Sequence, residues 1–546
     1  MANEVRQTMT QFWEEHSRDA TVEEMMLDSS AALLSQEEKP EIISLLPCLD
    51  GLNVTAGARG WDREMHMYIS CNEQTLTLLK RLMSIRYTGH LAKLASNVTA
   101  VDFMQNFIDK NREDNGYRGN ITFLQADVTL LDFPNNTFDF VFSNWLFMYL
   151  TDEELVVLIE KMLGWLRPGG YLFFRESCFF QSGDCERTFN PTVYRTPAQY
   201  NHLLTSVTSK SGDNGFEIVM SKSVQTYIKI KKNQNQVCWM LQKVPRDADG
   251  HQGYTTFQQF LDNQQYSRRG ILRYEKIFGD GFVSTGGLET TKVRPVQKTN
   301  IRGSGDTVFK MQEILSFLHL QEFIAMLNLV PGQRVIDVGC GIGGGDFYMA
   351  KTYGVDVLGM DLSSNMVEIA MERAIMERTP KVQFEIGDAT RRIFTDASFD
   401  VVYSRDTILH INDKGALFRK FFTWLKPGGK LLITDYCCGD RPWSPVFEEY
   451  VKQRGYILYT PKEYGQFLEK VGFVKVQALD RTEQFVQVLN KELARTQEIK
   501  QDFLESFSEE DYNYIIEGWK EKLHRCSLGD QRWGLFLAEK PLDLIS

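Results

Sequence analysis

The sequence predicts two α/β domains in tandem, each built on a mostly parallel, doubly wound sheet. Two observations predict this: motifs that recur at one offset, and short β-rich runs that alternate with longer helical patterns inside each copy. Phe138-Asp-Phe-Val-Phe-Ser143 returns as Phe399-Asp-Val-Val-Tyr-Ser404, and Trp165-Leu-Arg-Pro-Gly-Gly170 as Trp424-Leu-Lys-Pro-Gly-Gly429. Phe123-Leu-Gln-Ala-Asp127 returns as Phe384-Glu-Ile-Gly-Asp388, and Val101-Asp102 answers Met360-Asp361. All four offsets are about 260 residues.

In the second copy Arg334–Val338 reads as a strand, Gly345–Tyr353 as a helix, Val355–Met360 as a strand and Asn365–Arg378 as a helix. Val382–Ile386, Phe399–Ser404 and Lys430–Asp435 read as further strands. Between the copies lies a polar, aperiodic stretch with Pro245, Asp247, Asp249 and Gly250. The expected division is therefore a first domain over 1–242, a linker over 243–256 and a catalytic domain over 257–546.

A chain of 546 residues is long enough for two cores of ordinary size. Its 43% hydrophobic and 24% charged residues are ordinary for a soluble globular protein. The net charge of −11 argues against a general nucleic-acid or anionic-membrane surface and leaves room for a local basic pocket. The opening Met1-Ala-Asn-Glu-Val-Arg-Gln lacks the basic-then-apolar pattern of a secretory signal. No run approaches the roughly 18 apolar residues of a membrane span. Nine cysteines are scattered, with one close pair, Cys437-Cys438, which is neither a disulfide framework nor zinc spacing. These features point to a cytoplasmic protein with reduced thiols and no metal; oligomeric state is left open, a monomer included.

The chemistry concentrates in Asp337-Val-Gly-Cys-Gly-Ile-Gly343, which follows a strand and opens a helix. Glycines let the backbone approach a ligand where a Cβ would clash, and the place is the switch-point crevice of an open α/β sheet. Dinucleotide folds share such a loop, so a dinucleotide is the rival cofactor, and a mere tight turn with helix-capping aspartates is the bland reading. Three carboxylates tilt the choice. Asp337, two positions before Gly339, suits a ligand ammonium; Asp361 ends the next strand and suits ribose hydroxyls; Asp388, before Ala389, suits an adenine amino group. With the Leu425-Lys-Pro-Gly-Gly429 turn, the set resembles Rossmann-like class I methyltransferases, which implies S-adenosylmethionine as cofactor.

The resemblance narrows further. Gln265-Tyr266, Tyr274-Glu-Lys-Ile-Phe-Gly-Asp-Gly-Phe-Val-Ser-Thr-Gly-Gly287, Tyr403-Ser-Arg-Asp-Thr-Ile-Leu-His410, Ile433-Thr-Asp-Tyr436 and Gln453-Arg-Gly-Tyr456 are similar to the phosphoethanolamine N-methyltransferases. Met26-Leu-Asp28, Leu45-Leu-Pro47, Ser143-Asn-Trp-Leu-Phe-Met-Tyr149 and Phe174-Arg-Glu-Ser177 carry a likeness to the first half of the tandem members. The resemblance implies methylation of phosphoethanolamine and its mono- and dimethyl derivatives to phosphocholine, for phosphatidylcholine synthesis.

It also implies roles. Tyr266 and His410 would form a pair that deprotonates the ammonium and latches the site, and Asp406 would orient the amine. Gln265, Tyr274, Val283, Ser284, Asp337, Gly339, Gly341, Asp361, Leu362, Asp388, Ala389 and Arg405 would hold the cofactor. Arg454 and Lys522, with hydroxyls from Tyr436 and Tyr456, would hold the phosphate, as guanidinium and ammonium groups do. An ammonium is protonated at pH 7 and cannot attack a sulfonium, so a base is required, and a buried histidine suits the task. Each residue also has a bland reading: His410 as a hydrogen-bonded core histidine, Tyr266 as a core aromatic, Arg454 as a solvated charge.

The first copy departs from this pattern. Val335 lies 26 positions before Asp361, but its counterpart Val54 lies 48 before Asp102. The acidic-glycine loop is absent, and about 31 residues, 55–85, stand in for about eight. Gly57 and Gly60 have no acidic residue just before them. The expectation is a first strand lacking its second half and a first copy without cofactor binding, the rival being a degenerate loop with an insertion. Two further readings of the whole chain stay in play: a methyltransferase on another small acceptor such as a sterol, and a non-catalytic cofactor-sensing regulator.

Overall fold

The two halves repeat one strand order. In the first unit β1 (Thr77–Arg81), β2 (Asn97–Asp102), β3 (Ile121–Gln125), β4 (Phe138–Asn144), β5 (Leu166–Ser177), β6 (Asn214–Ser223) and β7 (Gln236–Pro245) lie in the order β6-β7-β5-β4-β1-β2-β3. In the second, β8 (Arg334–Val338), β9 (Asp356–Asp361), β10 (Val382–Gly387), β11 (Phe399–Arg405), β12 (Leu425–Cys438), β13 (Val474–Asp480) and β14 (Gln531–Glu539) lie in the order β13-β14-β12-β11-β8-β9-β10. Five neighbouring strands of each sheet are parallel, and one side is extended by two more strands through antiparallel pairing, β7 and β14 being the ones that run against the rest. This computed structural model describes residues 12–13, 26–46, 77–81, 85–184, 192–246, 257–284 and 323–542. The chain divides into Met1–Phe260 with Ala374–Pro380, and Leu261–Arg373 with Lys381–Ser546.

Parallel strands flanked by helices on both faces should read as continuous apolar runs, and these do. Val335, Ile336, Val401, Val402, Leu431, Leu432 and Ile433 are each buried to within 1% of complete. Helix α1 (Gly344–Tyr353) follows β8, α2 (Ser364–Met376) follows β9 and α3 (Lys414–Trp424) follows β11. The faces of α3 that carry Leu417, Phe418, Phe421 and Trp424 pack into one apolar cluster with Ile336, Val402, Leu431 and Ile433. The chain leaves β8 toward β9 and β10, then crosses back to β11, so a crevice opens at the carboxyl ends of β8 and β11, where open α/β sheets place their ligands.

Two expectations need correction. Lys243–Pro245 belong to β7 rather than to the linker, because register pairing with β6 (Phe216↔Lys243, Asn214↔Pro245) outweighs their polar look. Residues 247–256 lie outside the described ones. The first copy's central strand position is also filled: β1 pairs parallel with β2 and with β4. The end of the substituted segment supplies it, and the reason is hydrogen bonding. A missing middle strand would leave two buried rows of backbone groups unpaired, each a desolvation cost. Residues 55–76, with Gly57 and Gly60, and Gly286-Gly287 lie outside the described residues.

Candidate active site

At the end of β8 the chain turns through Gly339, Gly341 and Gly343 with φ of 84°, 55° and 84°, a region in which L side chains are strained. A Cβ at Gly339 would collide with the Thr407 side chain. The turn is tied to the next strand: Gly339 N donates to Met360 O at 2.7 Å, and Gly341 N to Asp361 Oδ2 at 3.0 Å. Asp361 Oδ1 accepts from Ser363 N at 2.9 Å. Burial raises the Asp361 carboxyl to about 6.

Asp337, 4% exposed, carries an Oδ1 with no hydrogen-bond partner. Burial, with the charge of Asp361, lifts it to about 8. Asp346, in the first turn of α1, is fully buried and faces Asp337, the two carboxyls acting on each other through charge and a shared hydrogen bond. Burial and the Asp337 charge push it well above the carboxylate range. This second carboxyl was missed by the sequence reading, because a residue in a helix's first turn normally reads as a cap. An open glycine cradle and a buried unpaired carboxylate oxygen fit the amino-acid end of S-adenosylmethionine.

The rest of the expected cofactor set surrounds the cradle unevenly. Val283 Cγ2 sits 3.3 Å from where a Cβ on Gly341 would be, and Val283 and Tyr266 pack on Ile342 and on Met366 and Ile369 of α2. Gln265 Nε2 donates to the Tyr266 hydroxyl at 3.1 Å. Tyr274 stacks on Phe278, with ring centroids 5.9 Å apart, and its hydroxyl is raised, chiefly by burial. Ala389 is buried beside Met360, and Leu362 leads from Asp361 into α2. Arg405 ends β11, and its charge lowers Asp337. Asp388 uses Oδ1 locally, accepting from Thr390 N at 2.8 Å and Thr390 Oγ1 at 2.6 Å. Ser284 is half-buried at the edge of the described segment.

On the other side of the crevice, Asp406 takes a left-handed φ of 49° just after β11. Its Oδ1 accepts from the Trp533 indole at 2.8 Å and from Thr434 Oγ1 at 3.2 Å, while its buried Oδ2 has no partner. Burial raises this carboxyl too. His410 ends the one-turn helix Ile408–His410. That turn is braced by buried Asp435, whose Oδ1 accepts from Leu409 N at 3.1 Å, and by Lys414 Nζ, which donates to Ile408 O at 2.5 Å. Burial, then the charges of Lys414 and Arg454, pull the His410 imidazole down to about 4. Its ring meets Tyr456 edge-on, centroids 5.2 Å apart.

Arg454 ends helix α4 (Pro445–Arg454) and is exposed. Its charge nonetheless reaches His410, Tyr266, Tyr274, Tyr456 and Lys522. Lys522, on α5 (Glu509–Ser527), lies with Nζ 5.7 Å from the Tyr436 ring centre. Burial lowers its ammonium to about 8, and Asp406 is among the charges acting on it. Tyr266, His410, Asp406, Tyr436, Arg454, Tyr456 and Lys522, drawn from segments up to 256 residues apart, thus share one electrostatic neighbourhood.

The first unit keeps part of this frame. Asp102 Oδ1 accepts from Met104 N at 3.0 Å and Asp127 Oδ1 from Thr129 N at 2.9 Å, as Asp361 and Asp388 do. Glu176 holds Leu146 N at 3.0 Å and Phe147 N at 2.8 Å, in the place of Asp435. The chemistry between has changed. Trp145, at φ 52°, stands where Asp406 stands, Tyr149 where His410 stands, and the Arg175 guanidinium lies 3.9 Å over the Trp145 ring centre. Arg175 pairs with Glu38 at 2.6 Å, both fully buried; removing one partner of such a pair costs about 3–5 kcal/mol. A cavity of about 30 Å³ remains, lined by Trp13, Asp28, Trp145, Tyr149, Tyr227 and Gln236 among others. Between Arg81 of β1 and Ile85 of the next helix the sequence has Leu82-Met83-Ser84 and no glycine.

The family described as a methyltransferase domain matches residues 335–429, and a second methyltransferase-domain family matches 84–174, opening at the end of the substituted segment. Phosphoethanolamine N-methyltransferase 1 of Arabidopsis thaliana is 48% identical over 542 residues, 98% of this chain and 99% of the relative. The phosphoethanolamine N-methyltransferase of Plasmodium falciparum is 38% identical over 284 residues, 52% of this chain and 95% of the relative. The structure of Haemonchus contortus phosphoethanolamine N-methyltransferase 2, in complex with phosphomonomethylethanolamine and S-adenosylhomocysteine, aligns with a TM-score of 0.65 at 27% identity, covering 86% of this chain and 95% of that one. The chain belongs to the phosphoethanolamine N-methyltransferase family.

Proposed function

We propose that this enzyme transfers methyl groups from S-adenosylmethionine to the nitrogen of phosphoethanolamine and its mono- and dimethyl derivatives, and that the expected catalytic domain, residues 257–546, does the chemistry. The observation that supports this reading most is the pairing of Asp406 Oδ2, buried and without a partner, with the cations Lys522 and Arg454 in the same neighbourhood. One end of such a site suits an ammonium and the other a phosphate. A sterol acceptor would call for an apolar pocket, which these charges do not make.

The roles in this reading are those the resemblance implies, and the geometry supports them. Asp337, Gly339, Gly341, Asp361 and Asp388 would hold the cofactor, with Gln265, Tyr274, Val283, Ser284, Leu362, Ala389 and Arg405 around it; the cofactor supplies the methyl group. Asp406 orients the amine through Oδ2, its other oxygen fixed by Trp533. Arg454 and Lys522 hold the phosphate, with hydroxyls from Tyr436 and Tyr456. His410, neutral at pH 7, accepts the ammonium proton, and Tyr266 completes the pair. A phosphate on Arg454 offsets one of the cations that depress His410, so seating the acceptor strengthens the base. Alignment of nitrogen and methyl then supplies most of the rate.

The resemblance to the tandem members implies that the first copy performs the first methylation and the second copy the later two; by this reading the first unit, without glycines between β1 and the following helix, contributes no transfer, and the chain favours the mono- and dimethyl acceptors. The enzyme acts in the cytosol, where its buried Cys178, Cys238, Cys437, Cys438 and Cys526 stay reduced. Among the described residues no helix is long and apolar enough to cross a membrane, and no side-chain group could hold a metal. The test is product analysis by mass after incubation with S-adenosylmethionine and each of the three acceptors. Absence of turnover with retained cofactor binding would favour the regulator reading instead.

A further inference from the structure

Asp262 plays no part in the roles above, yet it is the most heavily bonded carboxylate near the site. It sits in a π-helical turn, Leu261–Gln265, that leads directly to Tyr266, whose N donates to Leu261 O at 2.7 Å. Its two oxygens accept from Ser363 Oγ at 2.6 Å, Ser364 Oγ at 2.7 Å, Ser364 N at 3.2 Å and Asn365 N at 3.4 Å. Asn365 Nδ2 reaches back to Asp262 O at 2.9 Å and Tyr266 O at 2.8 Å. Six hydrogen bonds therefore join this turn to three consecutive residues.

Those three residues open α2 immediately after Asp361 and Leu362. The same segment is gripped from the other side, since Asp361 Oδ1 accepts from Ser363 N at 2.9 Å while its Oδ2 holds the glycine turn at Gly341 N. A path of hydrogen bonds thus runs from the glycine turn through Asp361 and Ser363 to Asp262, charge-assisted wherever a carboxylate accepts, and reaches Tyr266 through the neutral Asn365 amide. The path is two-sided: one end touches the residues read as cofactor-binding, the other carries a residue read as acting on the acceptor.

We propose that Asp262 is a positioning residue that fastens the Tyr266-bearing turn to the cofactor turn, so that occupancy of the cofactor site sets Tyr266 in place for the acceptor. The inference rests on the roles read above for Asp361 and Tyr266. Asp262 touches neither reactant; it acts through Ser363, Ser364 and Asn365.

A double-mutant cycle on the full chain tests it, with Asp262→Ala, Tyr266→Phe and the combination, read as kcat and KM for phosphomonomethylethanolamine. Asp262→Asn, which keeps the shape and loses the charge, runs in parallel and is read in the same way if the alanine variant folds poorly. The expected result is a tenfold or greater loss in kcat/KM for the acceptor on Asp262→Ala, a cofactor Kd within about threefold of the parent, and a Tyr266→Phe effect that nearly vanishes in the Asp262 variant. Additive losses, or an Asp262 variant as active as the parent, would overturn the proposal. An arm independent of turnover is hydrogen exchange of residues 261–266 with and without S-adenosylhomocysteine. Protection gained on binding in the parent and lost in the Asp262 variant supports the clamp; no gain in the parent sinks it, and this arm reads the clamp even if the acceptor is misidentified.

Discussion

The Trp533 indole donates to Asp406 Oδ1 at 2.8 Å and leaves the buried Oδ2 without a partner. A tryptophan on the antiparallel strand β14 thereby fixes which oxygen of a carboxylate after β11 can face an acceptor. A buried carboxylate with one free oxygen is costly unless a ligand completes it. Asp406→Asn tests this cleanly, because asparagine tolerates the left-handed φ of 49° at this position. A hydrogen bond to a charged group contributes about 1.5–3 kcal/mol, so acceptor affinity should fall roughly tenfold or more while the cofactor Kd holds. Calorimetry with the acceptor in the presence of S-adenosylhomocysteine reads both; unchanged acceptor affinity removes Asp406 from the site.

The base should show itself in a pH profile. His410 at about 4 is neutral throughout the working range, so its own titration does not shape activity near pH 7. His410→Ala should lower turnover by roughly 10²–10⁴. The loss should shrink at high pH, where free amine is abundant. A variant with normal turnover at neutral pH would dismiss the role. The same shift bears on stability: the folded value lies below the ordinary 6.5, so the unfolded chain binds the extra proton as pH falls from 6.5 to about 4. Replacing His410 should therefore soften acid destabilisation in that window, measured as Tm against pH.

Much of this site could be read from the sequence, and the parts that could not share one cause. The glycine turn, Asp361 and Asp388 were legible because each is punctuation at a strand end, fixed by local backbone demands. The repeat made the fold legible twice over. Asp262, Asp346, Asp435 and Trp533 were not, because each matters only through a partner that folding brings to it: Ser363, Asp337, Leu409 and Asp406. Strand β1 was missed for the related reason that pairing with β2 and β4, rather than a local pattern, selects it.

Cofactor binding should release a proton. The Asp337 carboxyl, raised from an ordinary 3.8 to about 8, keeps in the folded chain a proton that the unfolded chain has lost. Its contribution to stability is whole below about 3.8 and is lost as pH rises through about 8. A cofactor ammonium pairs with the charged form, so affinity should climb between about pH 5.5 and 7, below the titration of an α-amino group near 8. Calorimetry of S-adenosylhomocysteine binding in buffers of different ionisation enthalpy counts the proton. Asp337→Asn should weaken binding and flatten the dependence, and Asp346→Asn should reduce it. Affinity that is level with pH in the parent would show that the carboxyl pair holds no such proton.

The division of labour between the units can be tested without cutting the chain. Asp361 and Asp102 occupy equivalent strand ends and accept from equivalent backbone amides, at Ser363 and Met104. They differ in what lies beside them. Asp361 also holds the glycine turn through Gly341 N, whereas the sequence of the first unit has no glycine between β1 and the following helix. Asp361→Asn removes a charged acceptor worth about 1.5–3 kcal/mol, and should cut transfer to phosphomonomethylethanolamine and phosphodimethylethanolamine by roughly tenfold or more at limiting cofactor. Asp102→Asn should leave both rates within about twofold, and phosphoethanolamine should be a poor acceptor for either variant and for the parent. Product masses with the three acceptors decide it. Efficient first methylation lost on Asp102→Asn would mean that the first unit binds cofactor through its substituted segment. Efficient first methylation lost on Asp361→Asn would mean that the second unit performs all three steps.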